Sequence, residues 1–310
     1  MYATKRHKKL KIRFADFLCL FVAKQGLADL TGLEMNNLTE QVSQIFRLED
    51  AQLHALQQEV ASLDVQWTNV YSEYHTGGWK TLSLLNHTGK PTDTIIEDCE
   101  PVETSLLERM PETRALLRGL GFRYMWARLA KLEVNAFNFE HRDYQELRNE
   151  RRLRLHIPVI TNPFSSIVVE QTRIHLALGY IWKLNPIHRH GSGNFGKEPR
   201  IHIILDCYVD EALDALLSAE TLDRMCIYGL PVPSEREVEE TMVTAKRLAS
   251  NGEHTLAEHS ILKMFHDYNL TEGFVYDLVS RMYGALGDSH KCESWLDKKA
   301  RFLQPAESFG

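Results

Sequence analysis

His141 and Asp143 stand two residues apart in the run EHRDY (140–144), which closes the strand-like stretch LAKLEVNAFNF (129–139). In an extended strand, residues i and i+2 point to the same side, so this imidazole and carboxylate could reach one metal ion. The plain alternative is a solvated strand end, because H-x-D arises readily by chance in a chain with 14 histidines. Downstream, LNPIHRHGSGNFGKEPRIHIILD (184–206) adds His188, His190, Asn194 and Arg200. Two histidines and one carboxylate on one face leave half an octahedron open. That suits an Fe(II) ion that must also bind a cosubstrate and O₂. An arginine on the following strand could grip the far carboxylate of a dicarboxylic cosubstrate with its bidentate fork. Both His188 and His190 qualify as the third ligand on these grounds.

The bulk properties are those of an ordinary globular chain, at 310 residues, 44% hydrophobic and 25% charged. A formal net charge of −6 gives no reason to expect a nucleic-acid partner. The five cysteines (Cys19, Cys99, Cys207, Cys226, Cys292) are odd in number and contain no C-x-x-C pair. That argues against a disulfide framework or a thiolate zinc site and fits reduced thiols in a cytoplasmic protein. Lys5 to Arg13 form a basic run before the apolar FLCLFVA, but Asp16 interrupts it and no small-residue cleavage site follows. An amphipathic helix is the expectation there, with the basic run as a solvated face and no membrane span.

The elements that must position these residues fall into three expected regions. Residues 1–64 read as helical, from the three- and four-residue apolar spacing of LTEQVSQIF and AQLHALQQEVASL, with Thr39 as a cap. Residues 65–230 read as a β domain. Its strands are expected in VQWTNVYSEY and WKTLSLLN, flanking Gly77-Gly78, and in 129–139, 153–160, 166–179 and 200–209. A helical patch, ETSLLERMPETRALLRGLG, carries Pro111 at a first turn. Strands without intervening helices point to a mainly β core, a sandwich or closed roll, not a parallel sheet. Residues 231–310 read as a C-terminal helical subdomain, with S/T-x-x-E boxes at Ser234/Glu237 and Thr255/Glu258.

Five blocks in order then carry a family resemblance. They are His141-Arg-Asp143, RLHIPVITN (154–162), GYIWKLN (179–185), HGSGN (190–194) and RIHIILD (200–206). The sequence resembles the Fe(II)- and 2-oxoglutarate-dependent oxygenases, in the branch of aspartyl/asparaginyl β-hydroxylases and bacterial proline hydroxylases. The resemblance implies a double-stranded β-helix, a jelly roll of cupin-like type. It implies His141, Asp143 and His190 as metal ligands, since His190 and not His188 has the family's spacing to Asn194 and Arg200. By the same matching, Arg200 would bind the distal carboxylate of 2-oxoglutarate. Arg154 and His156 fall where the family places cosubstrate or substrate carboxylates. Ascorbate would serve as reductant in vitro.

The implied reaction is hydroxylation of an unactivated C–H of an amino acid, with release of succinate and CO₂. Related halogenases lack the carboxylate that Asp143 supplies. A free amino acid such as proline is the favoured substrate. The rivals are an aspartyl or asparaginyl residue in a peptide, an aminoacyl group on a carrier protein, or a non-catalytic β-roll binding protein. Arg154, His188, Trp79 and Asn194 are the substrate-contact candidates. Trp79 could equally be a packed strand residue. His175 and His202 read as interior histidines, Trp182 as core and Arg142 as solvent-facing. No residue stands out for a substrate amine, and the helical ends offer a surface for a homodimer.

Overall fold

The computed structural model describes residues 32–143 and 150–304. The basic run, FLCLFVA, Cys19 and Tyr144 lie outside them. Two antiparallel sheets face each other as a double-stranded β-helix, with helices at both ends. The larger sheet runs β1 (Val42–Arg47), β10 (Tyr180–Leu184), β7 (Arg152–Ile160), β12 (Arg200–Tyr208), β5 (Tyr124–Leu132), β3 (Trp79–Asn86) and β2 (Thr68–Asn69), with β4 (Val102–Glu103) also on β3. The smaller sheet runs β13 (Ile227–Gly229), β9 (Thr172–Ile174), β8 (Ser165–Val169), β11 (His190–Asn194) and β6 (Ala136–Phe137).

Strand alternation divides the larger sheet into a greasy outer face and a chemical inner one. On β7, Leu153, Leu155, Ile157 and Val159 join the outer core, whereas Arg154 and His156 line an internal cavity. On β12, Ile201, Ile203, Leu205 and Cys207 point outward, and Arg200, His202, Ile204 and Asp206 alternate with them. Helices α2 (Asp50–Ala61), α3 (Ser105–Glu108), α4 (Pro111–Leu120) and α5 (Glu211–Leu217) supply partners for that outer core, among them Leu56, Val60, Leu107, Leu116 and Leu213. Leu155 is fully buried there. Leu155→Ala is expected to cost about 2–5 kcal/mol of stability in chemical denaturation, through lost burial and the cavity left behind.

Several elements depart from the sequence reading. Helix α1 (Gly32–Gln41) ends where LTEQVSQIF continues as β1, because Val42 and Ile45 find buried places beside β10. The period of four apolar residues was ambiguous, and sheet pairing decided it. Thr39 lies inside α1 and donates to the Met35 carbonyl at 2.8 Å, so it is not a cap. VQWTNVYSEY contributes only Thr68–Asn69 as strand. LAKLEVNAFNF is not one strand. The chain crosses from the larger sheet to the smaller through 133–135, with Asn135 at φ 57, a conformation that asparagine tolerates. Stretch 166–179 splits at Glu170 (φ 51) into the β8–β9 hairpin.

The C-terminal helices are α6 (Glu235–Ser250), α7 (His254–Leu262), α8 (Met264–Asp267), α9 (Phe274–Ala285) and α10 (Ser289–Phe302). Ser234 and Glu237 form the expected capping box. Thr255 does not cap, because α7 begins one residue earlier, after Glu253. These helices share a core with Phe137 and Val168 of the smaller sheet and with Phe139 just after β6. Among the described residues, no helix is long and apolar enough to cross a membrane.

Candidate functional site

His141 follows β6 and His190 opens β11, and the two residues exchange backbone hydrogen bonds of 3.0 and 2.8 Å. This pairing brings the rings to 4.5 Å between centroids. Asp143 is drawn alongside by its amide, which donates to the Pro186 carbonyl at 3.0 Å. Its carboxylate lies 3.6 Å from His141 Nε2 and 3.5 Å from His190 Nε2. One ligand atom from each residue falls within 4.8 Å of the others.

The ring orientation matters as much as the distance. His141 Nδ1 lies 2.7 Å from the Phe139 carbonyl, and His190 Nδ1 lies 2.9 Å from the His188 carbonyl. A carbonyl can only accept, so Nδ1–H must donate and each Nε2 keeps its lone pair for a ligand. Cis ligands to a first-row metal sit roughly 3 Å apart, on bonds of about 2.1 Å. The 3.5–3.6 Å separations from Asp143 need about half an ångström of closure, and all three ligand atoms lie within 4.8 Å of one another. The three residues therefore fit a divalent metal. Burial and the neighbouring His190 hold His141 down to about 4, so its imidazole is neutral and ligand-ready at pH 7. Burial works to raise the Asp143 carboxyl, but Arg154 and the two histidines outweigh it and hold it well below its ordinary value.

The triad opens onto a cavity of about 380 Å³ that is also lined by Arg128, Arg154, His156, Trp79, Tyr74 and Glu73. Arg154 is ion-paired to Asp143 and, through Nε at 2.8 Å, to Asp206. Asp206, fully buried, also pairs with Arg128, whose guanidinium lies 3.7 Å over the Trp126 ring. Arg200 is 1% exposed, 5.7 Å from the Trp79 ring, and its Nε and Nη2 have no hydrogen-bond partner among the described residues. Burial lowers it to about 9. His156 is held well below its ordinary value by burial and then by Arg200, Arg154 and Arg128, and is therefore neutral. Its Nδ1 sits 3.3 Å from that of His202.

The structure thus gathers His141, Asp143, His190, Arg154, His156 and Trp79 around one cavity, with Arg200 beside Trp79. Two of the substrate-contact candidates lie elsewhere. His188 is outside the cavity lining and reaches toward Glu170 at 3.6 Å. Asn194 is fully buried and spends its side chain on the carbonyls of Leu132, Glu133 and Glu198. It ties the sheet-crossing turn to β11 and does not line the cavity. Arg142 is not solvent-facing either, since it pairs with Glu272 and donates to the Ile187 carbonyl at 2.9 Å. Trp182 is fully buried core, and His175 Nδ1–H donates to the Ser165 carbonyl, 2.8 Å away.

Sequence reasoning passed over Arg128, Asp206 and Glu73. Asp206 closes the RIHIILD motif with no role that its spacing assigns. The alternation of Arg128 with outward Ala127 and Leu129 was its available signal. Glu73 lies in a loop with no periodicity to read.

A β-roll carrying a buried, ligand-ready His–Asp–His set beside a cationic cavity is the framework of a mononuclear metal protein. The chain belongs to the aspartyl/asparaginyl beta-hydroxylase family, which matches residues 34–209. It is similar to the L-proline cis-4-hydroxylase of Rhizobium meliloti (strain 1021), 29% identical over 158 residues, covering 49% of this chain and 55% of that protein. It is also similar to L-proline cis-3-hydroxylase 1 of Streptomyces sp, 30% identical over 151 residues, 46% of this chain and 52% of that protein. The chain thus spans about half the length of the curated relatives it matches. Among solved structures, a Pseudomonas putida prolyl-4-hydroxylase aligns at a TM-score of 0.38 and 13% identity, over 57% of this chain and 97% of that one, a loose likeness only.

Proposed function

We propose that this protein is an Fe(II)- and 2-oxoglutarate-dependent dioxygenase that hydroxylates a C–H bond of a small free amino acid, proline or a near relative. The observation that carries the reading is the triad's ligand-ready geometry at the wall of a cationic cavity. His141, Asp143 and His190 would hold the metal. With 2-oxoglutarate and O₂ the bound iron supplies the oxidising power for C–H hydroxylation, releasing succinate and CO₂.

The residues of the chain then have separate tasks. Arg200 is a buried guanidinium with donors to spare, suited to the distal carboxylate of 2-oxoglutarate, with Trp79 and neutral His156 shaping that end. Charge counting supports a second anion. Arg142 is paired with Glu272 and Arg301 with Glu73, which leaves the three positive charges of Arg128, Arg154 and Arg200 against the two carboxylates of Asp143 and Asp206. A divalent metal raises the surplus from one to three. Dianionic 2-oxoglutarate and one substrate carboxylate cancel it. Arg128, on the cavity wall, is the candidate for that carboxylate, with Arg154 holding Asp143 in orientation. Glu73, ion-paired to Arg301 at 3.1 Å on the cavity rim, is a carboxylate that a substrate ammonium could share. About 380 Å³ must hold cosubstrate and substrate together, which favours a free amino acid over a peptide or a carrier-bound group.

The test is a mass-spectrometric screen of the common amino acids, proline and its homologues included, with Fe(II), 2-oxoglutarate and ascorbate. The expected result is one product heavier by a single oxygen, with stoichiometric succinate. Protein that takes up metal and 2-oxoglutarate yet oxidises none of them would move the reading to a peptide or carrier-bound substrate.

A further inference from the structure

We infer that the C-terminal helices hold the two histidine-bearing segments in register, through a buried Glu140–Arg189 pair whose members are positioning residues for the metal. This rests on the metal-binding reading above. The helices α6–α10 lie beyond the family-matched residues, so the family likeness itself assigns them nothing.

Glu140 immediately precedes His141, and Arg189 immediately precedes His190. Since the two histidines face the cavity across a backbone pair, their preceding residues face the other way, toward the C-terminal helices. There Arg189 Nη1 donates to Glu140 at 2.8 Å, with side-chain exposures of 3% and 1%. Each partner is also gripped from the C-terminal unit. Arg189 Nη2 donates to the Leu270 carbonyl at 3.0 Å, and the Gly273 amide donates to the Glu140 carboxylate at 3.2 Å. The Tyr276 hydroxyl donates to the Glu140 carbonyl.

The same strand is fastened on both sides of this pair. His266 Nε2 lies 2.8 Å from the Asn138 carbonyl, and the Arg142 amide donates to the Phe302 carbonyl at 2.9 Å. Close approach is allowed by Gly191, where an added Cβ would lie 2.9 Å from the Phe265 ring and 3.0 Å from the Asn138 carbonyl oxygen. A shift in this contact moves both Nε2 atoms relative to each other, which is the quantity a chelated ion senses. Generic packing would not require a directional pair at the two residues adjoining the ligands.

The experiment is a Co(II) titration of the full chain, read by visible absorption, with far-UV circular dichroism on the same samples. Glu140→Gln keeps the shape and removes the charge. It is expected to weaken Co(II) binding roughly 10- to 100-fold, the range usual for residues that orient metal ligands. Tyr276→Phe, a milder change that keeps the core filled, is expected to weaken it about threefold or more, in line with loss of one outer hydrogen bond. If Glu140→Gln does not fold, Tyr276→Phe decides. Folded variants that bind Co(II) within about twofold of wild type would overturn this inference alone. Wild type that fails to bind Co(II) would sink the functional reading, and this inference with it.

Discussion

Asp143→Ala is expected to reduce succinate formation by about three decades or more and to abolish tight Co(II) or Fe(II) uptake. Asp143 is the sole carboxylate in the cluster of ligand-competent atoms, and both Nε2 donors converge on it at 3.5–3.6 Å. Two neutral imidazoles alone leave a divalent ion with neither a third protein ligand nor a compensating charge. The substitution also takes one of two carboxylates away from Arg154, which keeps Asp206. The fold is therefore expected to survive, and circular dichroism checks that it does. Asp143→Asn, which preserves volume, should behave the same way in turnover. Undiminished succinate release by a folded Asp143→Ala protein would remove Asp143 from the ligand set and return EHRDY to an ordinary strand end.

Arg200→Met should show the opposite signs for stability and for cosubstrate binding. Its guanidinium is 1% exposed and leaves Nε and Nη2 unpartnered among the described residues. A buried charge in that state is costly to the folded protein, as the lowering of its pKa to about 9 reflects. Exchanging it for an apolar side chain of similar length should leave thermal stability of the ligand-free protein unchanged or raise it. The same exchange should raise the KM for 2-oxoglutarate by about two to three decades, since loss of one partner of a buried charge pair costs about 2–5 kcal/mol of binding. Melting curves and initial rates at varied 2-oxoglutarate test both halves. An unchanged KM would assign the distal carboxylate to another residue, with Arg128 and Arg154 the next to try. The pairing of a gain in stability with a loss of binding is what separates a ligand-directed cation from a structural one.

Strand alternation in RLHIPVI and RIHIILD is visible in one dimension, because one face must be apolar to bury against helices. Whatever interrupts that apolar set every second residue must point the other way. Arg154, His156 and Arg200 were therefore legible as one inward face, and HGSGN with H-R-D supplied the candidate ligands. The capping box at Ser234 was legible for a similarly local reason, since both of its hydrogen bonds span three residues.

Other features depend on partners distant in sequence. Val42–Arg47 has the spacing of a helix, and only the vacant edge beside Tyr180–Leu184 makes it a strand. Asn194 looks like a polar group next to a ligand, and only the turn at 133–135 shows that its donors are used internally. Glu140 and Arg142 look like a solvated strand end until helices more than a hundred residues later close over them. The sequence by itself determined the strand face on which Arg154, His156 and Arg200 lie and marked His141, Asp143 and His190 as ligand candidates, because periodicity and side-chain type are local properties. The tertiary structure alone decided which charges are paired, which are left over for a ligand, and what holds the two histidines in register. Those are set by through-space distances and by exclusion of water, and neither is encoded in spacing along one strand.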